Sequence, residues 1–294
     1  MTEPARAAFV DLHSHSTASD GARAPAAVVR EAHRVGLGAI ALTDHDTVDG
    51  VAEARRAGEE LGVRVVTGVE LSAVEPSGET HILGLHLADT TELEARLHAL
   101  RSMRHGRAER IVARLNELGV RITLDDVLAQ ASGGAVGRPH VARAMVGAGW
   151  ATDLRDAFSR YLGDGRAAFV PKEQLPLSEA VAMIHRAGGL AIVAHPAGAG
   201  RRDRIEALVA LGVDGVEVRH PSHSPADTTR LMALADHFQL VPSGGSDWHG
   251  LPEGGRVLGA MQVPAEWLER QDARVARRAA SEDESRAVIG RSAP

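Results

Sequence analysis

The feature that most restricts the fold of this sequence is the alternation of short apolar segments with segments of helical pattern. The apolar segments repeatedly end in His, Asp or Glu. The segment at 38–43 is apolar almost throughout, which is typical of a strand buried on both faces of a parallel sheet. The strand-like segments cover residues 7–12, 38–43, 63–69, 80–87, 190–194, 213–218 and 240–242. Repeated βα units with polar strand ends predict the α/β class and a seven-stranded (βα) barrel with its active site in the strand-end loops. A doubly wound open sheet is the competing topology, but it would gather ligands from only two or three strands.

The alternation is interrupted in the middle of the chain, where leucine residues follow helical spacing and no strand pattern is visible. The expected parts are a barrel domain at 1–90 and 176–270, a helical insertion at 91–175 that covers the active site, and a flexible tail at 271–294. Beyond Trp267 the chain is rich in Arg, Glu, Ser and Ala, which predicts a frayed helix or a disordered tail without function. A short connection through Pro76-Ser77-Gly78 favours a hairpin between the third and fourth strands.

Composition excludes several functions for this chain of 294 residues. It has no cysteine, and therefore no disulfide, no thiolate nucleophile and no cysteine zinc site. A formal charge of −6 and an aromatic content of 3% argue against a broad nucleic-acid surface with rows of stacking platforms. No apolar stretch approaches the roughly 18 residues of a membrane span. The first residues also lack the apolar core of a signal peptide, so we expect a cytoplasmic enzyme with no membrane and no obligate protein partner.

Histidine and carboxylate residues are concentrated at the ends of the predicted strands. His13 and His15 lie two apart after the first strand, so their imidazoles point to the same face and can bind one metal ion. The candidate ligands are His13, His15, Asp20, His45, Glu70, His81, His195, Asp247 and His249. Each residue alone could be an ordinary loop residue, but nine at strand ends favour a metal site. Nine nitrogen and oxygen ligands without sulfur suit two or three divalent ions of Mn, Fe or Zn.

The joint set of motifs resembles the polymerase and histidinol phosphatase (PHP) family over about residues 8–260. The motifs are His13-x-His15 with Asp20, Thr43-Asp44-His45-Asp46, Gly68-Val69-Glu70, His81, Ala194-His195-Pro196 and Ser246-Asp247-x-His249. The resemblance implies a distorted seven-stranded barrel with a trinuclear metal site. It assigns His13, His15, Glu70 and Asp247 to the first metal, Glu70, His81 and His195 to the second, and Asp20, His45 and His249 to the third.

The insertion, with Gly137-Arg138-Pro139-His140 and Tyr161-Leu162-Gly163-Asp164-Gly165, is similar to that of the nucleotide phosphatases of this family. This resemblance implies hydrolysis of AMP or 3′,5′-nucleoside bisphosphates, and in some members removal of nucleotides from the 5′ end of short single-stranded RNA. The nucleophile would be hydroxide generated at the metals, so no covalent phosphoenzyme is needed.

Four further residues, with one alternative, are candidates for roles around the metals and the phosphate. Asp44 is expected to orient a ligand from behind, as a catalytic residue that does not itself hold metal. Arg138 and Lys172 are candidates to bind the phosphate, although both could be ordinary surface residues. His223 is expected to bind the phosphate or to protonate the leaving oxygen, and His220 could replace it.

Two other functions stay open at this point. The first is a phosphatase for a small amine phosphate such as histidinol phosphate, because those relatives share the ligands. The second is a catalytically inactive PHP scaffold, against which the complete ligand set argues.

Overall fold

The computed structural model describes residues 8–76, 78–131, 136–171, 174–251 and 256–291, the last ten of these by backbone alone. The strands are β1 Phe9–Asp11, β2 Ala39–Leu42, β3 Arg64–Glu75, β4 Gly78–Leu85, β5 Leu190–Val193, β6 Gly215–Arg219, β7 Val241–Gly244 and β8 Val263–Pro264. Among the described residues they form one eight-stranded sheet in the order β7-β6-β5-β4-β3-β2-β1-β8. The predicted barrel is confirmed. The count is eight instead of seven because the two-residue β8 pairs antiparallel with β1.

Besides the short β8, one strand within the sheet runs against its neighbours and distorts the barrel. β1, β2 and β3 pair in parallel, as do β5, β6 and β7, whereas β4 is antiparallel to both β3 and β5. β3 and β4 form the predicted hairpin, and their register places Ser72 opposite His81. The hairpin therefore brings side chains from the middle of two long strands to the barrel rim.

The sheet closes just beyond the ends of β1 and β7. The Leu12 amide donates to the Gly244 carbonyl at 3.0 Å, and the Asp247 amide donates to the His13 carbonyl at 2.9 Å. The His15 amide donates to the Trp248 carbonyl at 2.9 Å. These bonds exclude the doubly wound open sheet. They also place the residues that follow β1 and β7 against each other at the carboxyl end of the barrel.

The helices cover the outside of the barrel and build the insertion. They are α1 Pro25–Arg34, α2 Val51–Leu61, α3 Thr91–Glu117, α4 Leu124–Ala131, α5 Arg138–Gly147, α6 Leu154–Ala157, α7 Leu177–Arg186, α8 Arg202–Ala210, α9 Pro225–His237 and α10 Ala265–Arg291. A π-helical turn, Phe158–Leu162, continues α6. No helix in the described parts of the chain combines the length and apolarity needed to cross a membrane.

The long helix α3 links the barrel to the insertion. Its first half packs Leu93, Leu97 and Leu100 into the apolar core shared with β3–β6. Its second half packs Ile111 and Leu115 into a separate core formed with α4, α5 and the turn after α6. The described residues between 91 and 175 contain no strand. A single rigid element thus holds the insertion over the barrel.

The prediction of a flexible tail from residue 271 is wrong for the described residues. Gln271 is fully buried within α10, and its Nε2 donates to the Pro242 carbonyl at 3.0 Å. Arg278 donates to the Gly189 carbonyl at 2.8 Å and pairs with the Asp214 carboxylate. α10 therefore covers the amino ends of β5, β6 and β7. The composition allowed a helix here but not its packing, which depends on hydrogen bonds and ion pairs to the barrel as well as on apolar contacts such as that of Leu268.

Candidate metal centre

All nine predicted ligands lie together at the carboxyl end of the barrel. Four groups among the described residues have ligand atoms within 4.8 Å of one another, and three of them consist only of predicted ligands, namely His13, His15, Glu70 and Asp247; His45, Glu70 and His81; and His15, Asp20, His45 and His249. The first group equals the predicted set for the first metal. The third group contains the predicted set for the third metal together with His15. The second group contains His45 where the predicted set for the second metal has His195. His195 Nε2 lies close to Glu70 Oε1, the same oxygen that His81 Nδ1 contacts.

Glu70 is the carboxylate that links these groups. Its side chain is buried, and its two oxygens face different histidines. Glu70 Oε1 lies 2.8 Å from His81 Nδ1 and 2.9 Å from His195 Nε2. Glu70 Oε2 lies 3.2 Å from His13 Nε2 and 3.3 Å from both His15 Nε2 and His45 Nδ1. A carboxylate with ligands on both oxygens has the arrangement needed to bridge two cations.

Asp247 completes the first group from the end of β7. Its Oδ1 lies 3.0 Å from His15 Nε2 and 3.5 Å from His13 Nε2. The other oxygen lies 3.3 Å from His220 Nε2 and pairs with Arg256. Arg256 and His220 therefore hold the carboxylate from the side away from His13 and His15.

Asp20 closes the third group from the loop that follows β1. Its Oδ1 lies 3.3 Å from His249 Nε2, and its Oδ2 lies 3.9 Å from His45 Nε2. Asp20 is half exposed, unlike Glu70 and Asp247, so the third group lies nearest to solvent.

Three of the seven described non-glycine residues with positive φ lie at the metal centre. They are Asp46 with φ of 51°, His195 with 32° and Asp247 with 49°. Positive φ is uncommon outside glycine, although Asp and His tolerate it better than most residues. Two of the three are predicted ligands, and the third follows His45. At these three points the chain turns where it presents ligands to the centre.

The ring nitrogens of His15 test whether this site fits a cation. Both Nδ1 and Nε2 are buried, and neither makes a hydrogen bond of good geometry with a described residue, although Asp247 Oδ1 and Glu70 Oε2 lie 3.0 and 3.3 Å from Nε2. Buried polar atoms are nearly always satisfied, so poorly aligned imidazole and carboxylate groups this close together fit a cation that all of them could bind. Imidazole nitrogens and carboxylate oxygens without sulfur are also the donors that borderline divalent metals accept. The residues present therefore fit metal ions.

The charges of the cluster are mutually stabilised. Burial alone would lower the pKa of His13, but Glu217 and Glu70 outweigh it and raise that pKa well above its usual value. Burial opposes protonation of His15 too, yet Asp247 and Glu70 raise its pKa to about 9. Glu70 and Glu79 overcome burial at His81 and raise its pKa to about 10. The same pairs, against burial, hold the pKa values of Glu70 and Asp247 below their ordinary range.

These shifts predict that metal uptake releases protons. In protein stripped of metal, His15 and His81 are protonated at pH 7, but a ligating imidazole must be neutral. Calorimetric titration in buffers of different ionisation enthalpy should therefore show proton release at pH 7, and apparent affinity should rise between pH 6 and pH 9. Uptake without protons at pH 7 would contradict this electrostatic picture.

The same shifts set the pH dependence of the stripped protein. Because the folded pKa values lie above the ordinary 6.5, the stabilisation from these pairs is complete below about 6.5. It is lost as the pH rises through about 9 and 10. Thermal melting of stripped protein should accordingly show a falling Tm over that alkaline range.

Sequence reasoning missed Glu217, which lies behind His13. This side chain of β6 is fully buried; its Oε1 accepts from His13 Nδ1 at 3.1 Å and its Oε2 accepts from the His195 amide at 2.7 Å. It thereby turns His13 Nε2 towards Glu70 and fixes the loop that carries His195. The signal was a lone acidic residue between Val216 and Val218 in a buried strand.

Glu217→Gln should weaken metal binding without unfolding the chain. The amide keeps the size of the side chain but loses its charge, and it cannot accept with both ends. Removing such a supporting carboxylate weakens metal affinity about 10- to 100-fold. Calorimetric titration of stripped protein measures the change, with Glu206→Gln on the exposed face of α8 as the matched control. Equal affinities for the two variants would show that Glu217 only fills space.

Asp44 contacts a different partner from the one expected. Its Oδ1 accepts from the Ser16 amide at 2.7 Å and from Ser19 Oγ at 2.6 Å, and its Oδ2 accepts from Ser16 Oγ at 2.7 Å. These bonds hold the loop that carries Asp20, rather than the neighbouring ligand His45. Asp44 thus helps to fix that loop, and a catalytic role for Asp44 stays a prediction.

His223 and His220 lie in different surroundings, and the role expected for His223 stays a prediction. His223 Nδ1 donates to the Val218 carbonyl at 3.0 Å, and its Nε2 accepts from the Ala197 amide at 3.1 Å. Both nitrogens are thus occupied by backbone, and burial lowers the pKa of His223. His220, by contrast, is buried beside the Asp247 carboxylate. Neighbouring positions after β6 could not be ranked from sequence because the turn there decides which ring faces inward.

Of the two cationic residues predicted to bind the phosphate, the structure describes only Arg138. Arg138 begins α5 and lines a cavity between the insertion and the barrel rim. It donates to Asp164 at 2.6 Å and to the Leu162 carbonyl at 3.1 Å, and its guanidinium lies over the Phe169 ring. Lys172 lies outside the described residues.

The chain is similar to known proteins in both sequence and fold. The PHP domain family model matches residues 11–162. The chain is 37% identical to the 5′-3′ exoribonuclease Rnm of Escherichia coli (strain K12), covering 85% of this chain and 88% of that one. It is also 37% identical to the 3′,5′-nucleoside bisphosphate phosphatase of Chromobacterium violaceum, covering 86% and 91% respectively. A crystal structure from Bifidobacterium adolescentis, assigned as a metal-dependent phosphoesterase, matches with a TM-score of 0.73 at 32% identity, covering 93% of this chain and 98% of that one.

Proposed function

The chain belongs to the PHP domain family and is a metal-dependent phosphoesterase, and from this premise we propose that it hydrolyses the phosphate esters of nucleotides with two or three divalent ions of Mn, Fe or Zn. The observation that carries the proposal is the convergence of imidazoles and carboxylates around Glu70, where neither nitrogen of His15 makes a hydrogen bond of good geometry among the described residues. Substrates in this proposal are AMP, nucleoside bisphosphates and the 5′ ends of short RNA. The relatives named for RNA and bisphosphate hydrolysis support this class.

In this proposal each metal position is held by residues from several strand ends. The first would be held by His13, His15, Glu70 and Asp247, the second by Glu70, His81 and His195, and the third by Asp20, His45 and His249. Divalent ions bound there would lower the pKa of water and neutralise the phosphate oxygens. Glu70 keeps the two sides of the centre at a fixed separation because its oxygens face different histidines.

The chain's own residues supply orientation and shielding. Glu217 and His220 hold His13 and Asp247 in place from behind. The insertion, anchored by α3, would cover the barrel mouth and contact the nucleoside. Arg138, already oriented by Asp164, would face the substrate from the insertion side. A covered site of this kind strengthens electrostatic contacts with the phosphate by excluding water.

Phosphate release from a defined panel tests the proposal. The protein, loaded separately with Mn, Fe or Zn, would be given AMP, 3′,5′-adenosine bisphosphate, a 5′-phosphorylated trinucleotide and histidinol phosphate. We expect hydrolysis of the nucleotides in preference to histidinol phosphate, and its loss together with metal in His13→Ala. Preference for histidinol phosphate would favour the small-molecule phosphatase, and inactivity towards the whole panel would favour the scaffold.

A further inference from the structure

We propose that a cavity at the amino end of the barrel binds a linear polyphosphate, the anion carried by a nucleoside triphosphate or by inorganic tripolyphosphate. The cavity lies between the end of α9, the start of β7 and one face of α10, and its volume is about 570 Å³. The metal centre lies at the opposite end of the barrel, where Asp247 follows the carboxyl end of β7. Binding in this cavity would therefore be independent of the proposed hydrolysis.

Three arginine residues of α10 line one wall of the cavity. Arg270, Arg274 and Arg277 are spaced i, i+4 and i+7, so they share one face of the helix. Seven residues of α-helix extend over about 10 Å, so the three side chains form a row and not a compact cluster. A row of this length suits an elongated anion better than a single phosphate ion.

Arg274 lies in the middle of this row and has an unused donor. Its Nη2 donates at 2.6 Å to the carbonyl of Gln239, which follows α9 with a φ of 56°. Its Nε is buried and has no hydrogen-bond partner among the described residues. A buried donor without an acceptor is unfavourable, and an anion in the cavity would supply the missing acceptor.

The positive charge of the row exceeds the negative charge beside it. Asp236 is the one carboxylate among the described residues that line the cavity, and its Oδ1 lies 3.7 Å from Arg270 Nη2. Both side chains of this pair are largely exposed, so the pair is weak. Arg277 is exposed and has no ion-pair partner in the described part of the chain. Three positive charges thus face one negative charge, and a polyanion would balance them.

The remaining lining of the cavity favours contacts between charged groups. Leu240 and Val241 are buried at the start of β7, and Ala273 of α10 lies within the arginine row. Apolar lining of this kind lowers the local dielectric constant and strengthens the attraction between guanidinium and phosphate groups. Guanidinium groups bind phosphate oxygens in pairs, and a triphosphate has one phosphate group for each arginine of the row.

Calorimetric titration of the full-length protein tests this proposal. The metal-stripped protein is used, so that the probes are neither hydrolysed nor able to remove metal. The probes are inorganic tripolyphosphate, ATP, inorganic phosphate and adenosine, each titrated with and without excess AMP. We expect tripolyphosphate and ATP to bind in the presence of AMP, inorganic phosphate to bind about 10-fold more weakly or less, and adenosine not to bind. Tighter binding of ATP would identify a nucleoside triphosphate as the ligand, whereas equal binding would identify an inorganic polyphosphate.

Four variants connect the binding to the arginine row. Arg274→Met should weaken tripolyphosphate binding about 10- to 100-fold, because a charged hydrogen bond from a buried donor is lost. Arg277→Met should weaken it about 2- to 5-fold, and Asp236→Asn should strengthen it by a similar factor, because both groups are exposed. The matched control is Arg56→Met on the exposed face of α2, which removes the same charge outside the cavity and should change nothing.

Thermal melting of each variant shows whether it is folded. Arg274 also holds α10 to the Gln239 carbonyl, so the exposed positions Arg277 and Asp236 decide the test if Arg274→Met does not fold. The metal-loaded Arg277→Met protein should hydrolyse AMP at the wild-type rate, since the row lies far from the metal centre. Equal affinities of wild type, Arg277→Met and Asp236→Asn for tripolyphosphate would overturn the proposal. Displacement of tripolyphosphate by AMP would also overturn it, because the anion would then lie at the metal centre.

Discussion

Glu70→Gln is expected to abolish hydrolysis and to reduce metal content at the same time. Glutamine has nearly the same volume, so the barrel should still fold, but its amide carries no charge and its nitrogen cannot bind a cation. The five imidazoles that contact Glu70 then lose their shared anion. Because the charge that stabilises both the cations and the transition state is removed, we expect the rate of phosphate release to fall by about 10³-fold or more.

The control for this variant is Glu75→Gln on the same strand. Glu75 pairs with Arg204 and is not among the residues that gather around the metal centre. It should keep wild-type metal content and rate within a few fold. Elemental analysis after gel filtration, together with steady-state kinetics, distinguishes the two variants. Full metal content in Glu70→Gln would mean that the bridging interpretation is wrong.

The position of the metal centre could be predicted from the sequence, because the ends of buried strands can be recognised from the pattern of apolar and polar residues. An apolar segment followed by His, Asp or Glu places the polar side chain at the carboxyl edge of the sheet, whatever the details of packing. His13, His45, Glu70 and His195 could all be found in this way. The parallel order of most strands then brings these ends together, so the site follows from the fold class.

The surrounding residues could not be found in this way, because their roles depend on side-chain direction. Glu217 lies within a strand whose pattern suggests only burial, and its partner His13 is 204 positions away. Asp44 adjoins a predicted ligand but points to Ser16 and Ser19 on another loop. His220 and His223 were separable only through the turn after β6. Local pattern fixes which edge a residue occupies, but three-dimensional packing fixes which atom it contacts.

The packing of helix α10 could not be predicted from the sequence for a different reason. Its Arg-rich and Glu-rich sequence is typical of a solvated segment, yet Arg278 and Gln271 bind backbone carbonyls at the amino ends of the strands. These carbonyls become acceptors only after the barrel has formed. A segment that is stabilised by tertiary hydrogen bonds therefore cannot be distinguished from a tail by composition.

Gly245→Ala is expected to lower the stability of the fold and to disturb the metal centre at the same time. Gly245 lies between β7 and Asp247, where the barrel closes. A Cβ atom added there would lie 2.4 Å from both the amide nitrogen and the Cβ of His13, and 2.8 Å from Asp11 Oδ1. His13 cannot easily move aside, because its amide donates to Asp11 Oδ1 and its carbonyl accepts from the Asp247 amide just beyond β7.

The closing hydrogen bonds would have to lengthen to accommodate the methyl group. The Ser246 amide donates to Asp11 Oδ1 at 3.0 Å, and the Asp247 amide donates to the His13 carbonyl at 2.9 Å, so the clash disturbs both. We expect a loss of about 3 kcal/mol in the free energy of unfolding, which lowers the Tm of a chain of this size by about 5–10 °C. Because His13 and Asp247 would no longer face each other correctly, metal content should fall as well.

The matched control is Gly147→Ala in α5, where an added Cβ meets no atom within 4 Å. Alanine is the better helix former, so this control should be neutral or slightly stabilising. Thermal melting and metal analysis of both variants, each compared with wild type, separate steric closure of the barrel from a general intolerance of added methyl groups. A Gly245→Ala protein with wild-type Tm and full metal content would show that the ends of β1 and β7 do not need this close approach. The link between barrel closure and the aim of His13 and Asp247 would then have to be abandoned.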